Sequence, residues 1–297
     1  LQQYILPEGN NWYKGNLHMH TTRSDGHLDY EAALREYESH GYDFVAVTDH
    51  RKPSEAGEQG RMLVLPGVEW DTGDGAQNPV YHILGIGMTR ASAADYQQNH
   101  SPSPQELVQT VLDADGVAIL CHPSWSVMDP AGITCVKGIS GAEIYNTVSG
   151  LPWNGERADS SVWFDIWASG GTLVPAVAGD DSHTYTGEQC RSFVMVNAAA
   201  CTRDDIVGAL RSGAFYASQG PRFKALTLDI ACGIVHVEFS EDVKTVVFYS
   251  NVPWPAERVM SGAAGHVDYH ISPSERYLRV ELLDDSGCRA WSSPFAL

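Results

Sequence analysis

Residues 29–50, DYEAALREYESHGYDFVAVTDH, set the terms on which this chain is read. Tyr30, Ala33, Leu34 and Tyr37 recur at helical spacing, with Asp29 placed to cap the start and Gly41 to end it. The residues that follow, DFVAVTDH (43–50), form a short apolar run that reads as a buried strand and closes on a histidine. A helix feeding a buried strand is half of a βαβ unit, and the same rhythm extends in both directions.

Upstream, NLHMHTTRSDG (16–26) places His18 and His20 in a first strand, where residues two apart share a face. Downstream come two strands, RMLVLPGVEWD (61–71) and YHILGIG (81–87), joined by a turn-rich link. A helix over 103–116 follows, with Ser103 as cap and Pro104 at its first position. Then come the strands VAILCHP (117–123) and GAEIYN (141–146), a helix within 156–171 and the strand TLVPAVAGDDSH (172–183). This alternation predicts an α/β unit built on a parallel sheet or barrel. Beyond residue 220 the segments become short alternating strands separated by turn residues, the pattern of a small Ig-like β-sandwich. The expected division is 1–220 and 221–297, at the SQGPRF turn.

Composition narrows the function. The 297 residues carry 19 Lys and Arg against 37 Asp and Glu, a formal charge of −18, and no basic cluster of the kind that grips a phosphate backbone. Long nucleic acid is therefore not an expected partner. No apolar run reaches membrane-spanning length. The N-terminal residues lack the pattern of a leader, which leaves a cytoplasmic home, or a secreted or periplasmic one if a leader has been trimmed. The six cysteines form no CxxC pair and read as scattered thiols.

The chemistry lies at the strand ends. His50, His122, Asp181 and His183 close predicted strands, and Glu69 lies near the end of another. In a βα barrel those ends share one face, where active sites form. His82 opens its strand, but a hairpin from Glu69 brings it to the same end. With His18, His20 and Asp25 these make nine candidate ligands. They are too many for one ion and of types suited to zinc, manganese or iron. Asp25 has a second reading as the cap of the SDG turn, and Asp49 reads as an outer or turn-capping acid. His27, His40, His100, His236, His266 and His270 fall outside the constellation.

The motifs LHMHTTRSDG, VAVTDH, PGVEW, VYHILGIG, CHP and AGDDSH resemble, in this order, those of the PHP (polymerase and histidinol phosphatase) superfamily, over about residues 15–185. The resemblance implies a distorted (β/α)7 barrel of the PHP type, holding two or three divalent metal ions. By motif, His18, His20, Glu69 and Asp181 would hold one ion. Glu69, His82 and His122 would hold a second, with Glu69 bridging, and Asp25, His50 and His183 a third. Asp25 stands where some relatives carry His.

The leading expectation is hydrolysis of a small phosphoester by a metal-bridging hydroxide. Glu69, Asp181 and His183 are the candidate catalytic residues. Arg51, Lys52 and Arg23 are candidate cations for the substrate phosphate. Tyr145 is a candidate pocket residue that could equally pack the barrel. Two rivals remain: metal-assisted hydrolysis of a carboxyl ester, amide or carbamate, and a non-catalytic metal- or carbohydrate-binding module using aromatics such as Trp254 and Trp291.

Overall fold

The computed structural model describes residues 2–90, 94, 101–261 and 265–297, so His100 lies outside the described residues. The opening stretch folds as a helix over Tyr30–Ser39, in which the Asp29 side chain accepts from the Ala32 N–H and Ala33, Leu34 and Tyr37 are buried. Ser103 and Glu106 form a reciprocal capping box at the head of the Pro104–Asp113 helix. The third helix is Ser161–Ser169. A fourth, Arg203–Ser212, falls outside the expected alternation. Thr202 caps it, and Gly213 stops it at a φ of 74°, a backbone conformation glycine adopts without strain.

The strands do not close into the expected distorted (β/α)7 barrel. They lie in open sheets, and the reason is that a strand has only two edges. The Asn11–Asn16 strand pairs in parallel with Phe44–Ala46 and, on its other edge, antiparallel with Phe193–Ala198. It therefore has no edge left for Ala176–Gly179. Phe44–Ala46 is likewise flanked on its second side by Met62–Leu65. A separate five-stranded sheet runs Ala176–Gly179, Gly141–Asn146, Val117–Leu120, Tyr81–Ile86, Gly67–Thr72. Its last two pairings are antiparallel: Gly67–Thr72 and Tyr81–Ile86 form a hairpin where a barrel would have a helical crossover, and the reversed Tyr81–Ile86 then runs against Val117–Leu120. Residues 61–71 do not form one strand. Pro66, which has no N–H to give a ladder, divides them into Met62–Leu65 in one sheet and Gly67–Thr72 in the other.

The two sheets are tied by isolated bridges at Met19–Ser182 and His50–Glu69. The same seam carries hydrogen bonds from Asp181 N to His18 O, His20 N to Ser182 O and Arg51 N to Glu69 O. The predicted ligands therefore sit where the sheets meet, on segments that hold one another.

Past residue 220, strands at Phe223–Asp229, Ile234–Phe239 and His266–His270 form one sheet together with Gln2–Tyr4 from the chain start. It faces Val243–Tyr249 and Tyr277–Asp284, and the Phe248 and Tyr269 rings stack between the layers at 4.3 Å. Arg289–Trp291 pairs with Phe215–Ser218, so one hydrogen-bonded sheet runs across the 220 region. Trp291 is fully buried and stacks on Tyr145, whereas Trp254 stands in solvent at 80% exposure. All six cysteines are free thiols. No helix among the described residues is long and apolar enough to cross a membrane.

Candidate metal centre

The His18 and His20 rings project from the extended continuation of Asn11–Asn16, with centroids 5.3 Å apart. Glu69 lies within Gly67–Thr72. The hairpin register sets Asp71 opposite His82, so Glu69, Asp71 and His82 share a face. His122 follows Val117–Leu120, and Asp181 and His183 follow Ala176–Gly179. His122 and Asp181 both hold positive φ, 25° and 55°, which costs a non-glycine residue energy and is characteristic of functional sites.

One set of atoms stands apart. His18 Nε2 lies 3.2 Å from Glu69 Oε2 and 3.1 Å from Asp181 Oδ1. His20 Nε2 lies 3.1 Å from Glu69 Oε2 and 3.0 Å from Asp181 Oδ1. All four atoms are buried, and none makes a hydrogen bond. Buried polar atoms are ordinarily bonded, because leaving one unsatisfied costs on the order of 1–3 kcal/mol. Ligand atoms around a tetrahedral ion at about 2.0–2.1 Å stand about 3.3–3.4 Å apart. The four residues thus fit a cation in both chemistry and spacing.

The remaining predicted ligands surround this set more loosely. His82 Nδ1 is 2.7 Å from Glu69 Oε1, and His122 Nε2 is 3.6 Å from the same oxygen. Asp25 Oδ2 is 3.5 Å from His183 Nε2 and 3.8 Å from His50 Nε2. The other nitrogen of His50, Nδ1, is 3.3 Å from Glu69 Oε2, so this ring links the Asp25 group to the inner set.

Electrostatics tell the same story. Burial works to lower the pKa of His18 and His20, yet the carboxylates of Asp181 and Glu69 overcome it, holding His18 well above the usual range and His20 at about 9. Burial works to raise Glu69 and Asp181, and the surrounding imidazoles press both well below the carboxylate range.

Outer groups fix the ligands, and the most important of them is not singled out by the sequence. Glu143, fully buried, places Oε1 2.8 Å from His18 Nδ1, which leaves Nε2 for the cluster. Its Oε2 accepts from the His122 N–H and from Asn146, whose Nδ2 also donates to Asp181 Oδ2. An acid inside the apolar run GAEIYN is the available signal, since a buried Glu needs partners. Asp49 accepts from Thr21 N–H, Thr21 Oγ and Ser24 Oγ, pinning the turn that carries Asp25. Asp180 accepts from the N–H groups of Cys190, Arg191 and Ser192 and so fixes the backbone beside Asp181.

The predicted ligands other than the fully buried His18 and His20 line a cleft of about 340 Å³, together with His27, Trp125, Val148, Trp153, Asn154 and Thr184. His27, outside the predicted constellation, is therefore on the cleft wall. The structure does not bring Arg51, Lys52, Arg23 or Tyr145 to this lining. Arg51, itself at a φ of 56°, forms a two-pronged ion pair with Asp71. Lys52 Nζ donates to the Arg23 carbonyl, and the Arg23 guanidinium lies over the Tyr30 ring at 3.9 Å. Tyr145 packs on Trp291.

No family model matches the sequence, and no curated protein matches it. Among solved structures, the chain is similar to a two-domain protein from Bacteroides vulgatus containing a predicted PHP-like metal-dependent phosphoesterase. The identity is 14%, the match covers 98% of both chains, and the TM-score is 0.55. Two partial likenesses are an amidohydrolase from Chromobacterium violaceum with bound sulfate and no metal (16% identity, 59% of this chain and 89% of that one, TM-score 0.43) and a proposed metal-dependent phosphoesterase from Bifidobacterium adolescentis (15%, 57% and 87%, 0.39). The likeness to the first of these is one of fold, and it extends over nearly the whole of both chains.

Proposed function

We propose that this protein is a metal-dependent hydrolase that cleaves a small phosphoester. The observation that carries the reading is the set of four buried atoms on His18, His20, Glu69 and Asp181 that make no hydrogen bond and lie within 4.8 Å of one another. Those four residues would hold one ion. Glu69, His82 and His122 would hold a second, and Asp25, His50 and His183 a third. When bound, divalent ions bring the pKa of water toward neutrality and polarise a phosphoryl oxygen.

The chain's own residues do the rest. Glu143 fixes the orientation of His18, and Asn146 steadies Asp181. Trp125 packs edge-on against His82 and His122, at 5.7 and 4.8 Å between centroids, and keeps water from that side of the cluster. His183 stands on the wall with its Nδ1 2.7 Å from the Asp181 carbonyl oxygen. Its Nε2 is thereby left as the atom that would face the third ion, 3.5 Å from Asp25 Oδ2. The cleft's size suits a small substrate rather than a polymer.

The test is a panel of phosphomonoesters, phosphodiesters and carboxyl esters offered to protein loaded with zinc, manganese or iron. Phosphoester turnover is expected, abolished by chelation and by His50→Ala without unfolding. Carboxyl ester hydrolysis with no phosphoester turnover would overturn the assignment.

A further inference from the structure

We infer that the cleft takes a phosphoester whose leaving group is an uncharged aromatic ring seated on Trp153, an inference that rests on the phosphoesterase reading above. Charge and shape carry it independently.

No Lys or Arg is among the described residues that line the cleft, whereas Asp25, Glu69 and Asp181 are. The cations closest to the ligands in sequence are engaged elsewhere, Arg51 on Asp71 and Lys52 on a backbone carbonyl. A phosphoryl group can be neutralised by ions at the cluster. Away from those ions, a second anionic group on the body of the substrate would find no lining cation to pair with.

The part of the wall made by Trp125, Val148 and Trp153 is apolar and already built. Asn154 Oδ1 accepts from Trp125 Nε1 at 2.8 Å, and Asn154 Nδ2 donates to the Val148 carbonyl at 3.3 Å. The first bond ties the 122–128 segment to 148–154, and the second holds the latter's turn. Trp125 is committed edge-on to two ligand histidines. Trp153, in the short turn Pro152–Asn154, is not: it lines the cleft with 63% of its surface exposed. An indole held open beside a cluster of charge offers a face on which a planar ring gains about 0.5–1.5 kcal/mol beyond its buried area. An aliphatic body of the same size gains only the area.

The experiment compares benzylphosphonate with cyclohexylmethylphosphonate, which are matched in size and cannot be hydrolysed. Calorimetry measures their binding to the manganese-loaded full chain, its Trp153→Ala variant and a Trp153→Phe variant. The expected result is that the benzyl compound binds about two- to tenfold more tightly. Trp153→Ala should erase the preference and Trp153→Phe restore part of it. Adding a carboxylate to the ring should weaken binding. Equal binding of the two compounds, a preference that survives Trp153→Ala, tighter binding of the carboxylated ring, or no binding of either would each overturn the inference. Turnover of benzyl phosphate is scored separately. If the phosphonate binds as described but the phosphate is left intact, the phosphoesterase reading fails while the aromatic subsite stands.

Discussion

At Arg279 a guanidinium with no solvent exposure donates to both oxygens of Asp165, pairs with Glu281 and stacks over Tyr249 at 3.9 Å. Arg289 takes the other oxygen of Glu281 at 2.6 Å. Two cations meet two carboxylates, and every charge has a partner. The candidate ligand cluster is buried just as deeply at His18, His20 and Glu69, but there one atom each of His18, His20, Glu69 and Asp181 makes no hydrogen bond. The first arrangement is complete within the chain and clamps the Ser161–Ser169 helix to the C-terminal strands. The second is complete only with something added. That difference, more than the number of histidines, separates a structural ion network from a binding site.

Breaking the closed network should have the largest effect. Arg279→Ala leaves Glu281 and Asp165 facing each other with less cation, and truncating one partner of a buried pair costs about 3–5 kcal/mol. Denaturant unfolding should show that loss, while metal content per folded molecule stays unchanged. A parallel fall in metal content would mean the two regions are not separable.

Disturbing the open cluster from its outer shell should have a smaller effect. Glu143→Gln keeps the shape but removes the charge that orients His18, and such outer partners are typically worth 10- to 100-fold in metal affinity. Competition with a chelator should show a loss of about that size, with unfolding stability of the metal-free chain much less affected than in Arg279→Ala.

The smallest effect belongs to the cations outside both regions. Lys52→Ala removes an exposed ammonium that bonds the Arg23 carbonyl. Stability should shift by less than about 0.5 kcal/mol, the ordinary surface range, and kcat/KM by less than about twofold. A loss of tenfold or more would return Lys52 to the substrate site.

The contrast also explains what could be read from the sequence. The positions of His18, His20, His50, Glu69, His122, Asp181 and His183 are legible because strand ends gather on one side whether or not the sheet closes. His82 is legible because the hairpin logic is local. Closure is not legible: the alternation gives elements but not which edges they pair. Here Phe193–Ala198 takes the edge of Asn11–Asn16 that a barrel needs. Arg51 and Lys52 look well placed in sequence, yet the left-handed backbone at Arg51 goes with a side chain held on Asp71. Glu143 leaves a trace, an acid in a buried strand, but its partner His18 is 125 residues away and only the fold joins them.

The central claim, that the cluster is completed by metal, is tested most directly by counting metal in the purified full chain after growth with zinc, manganese and iron. Plasma mass spectrometry of the protein after gel filtration gives that number. At least two equivalents of transition metal per chain are expected, falling by about one in a His18→Ala, His20→Ala double variant that remains folded. A folded wild-type chain that carries none, and takes up none on dialysis against these ions, would contradict the account.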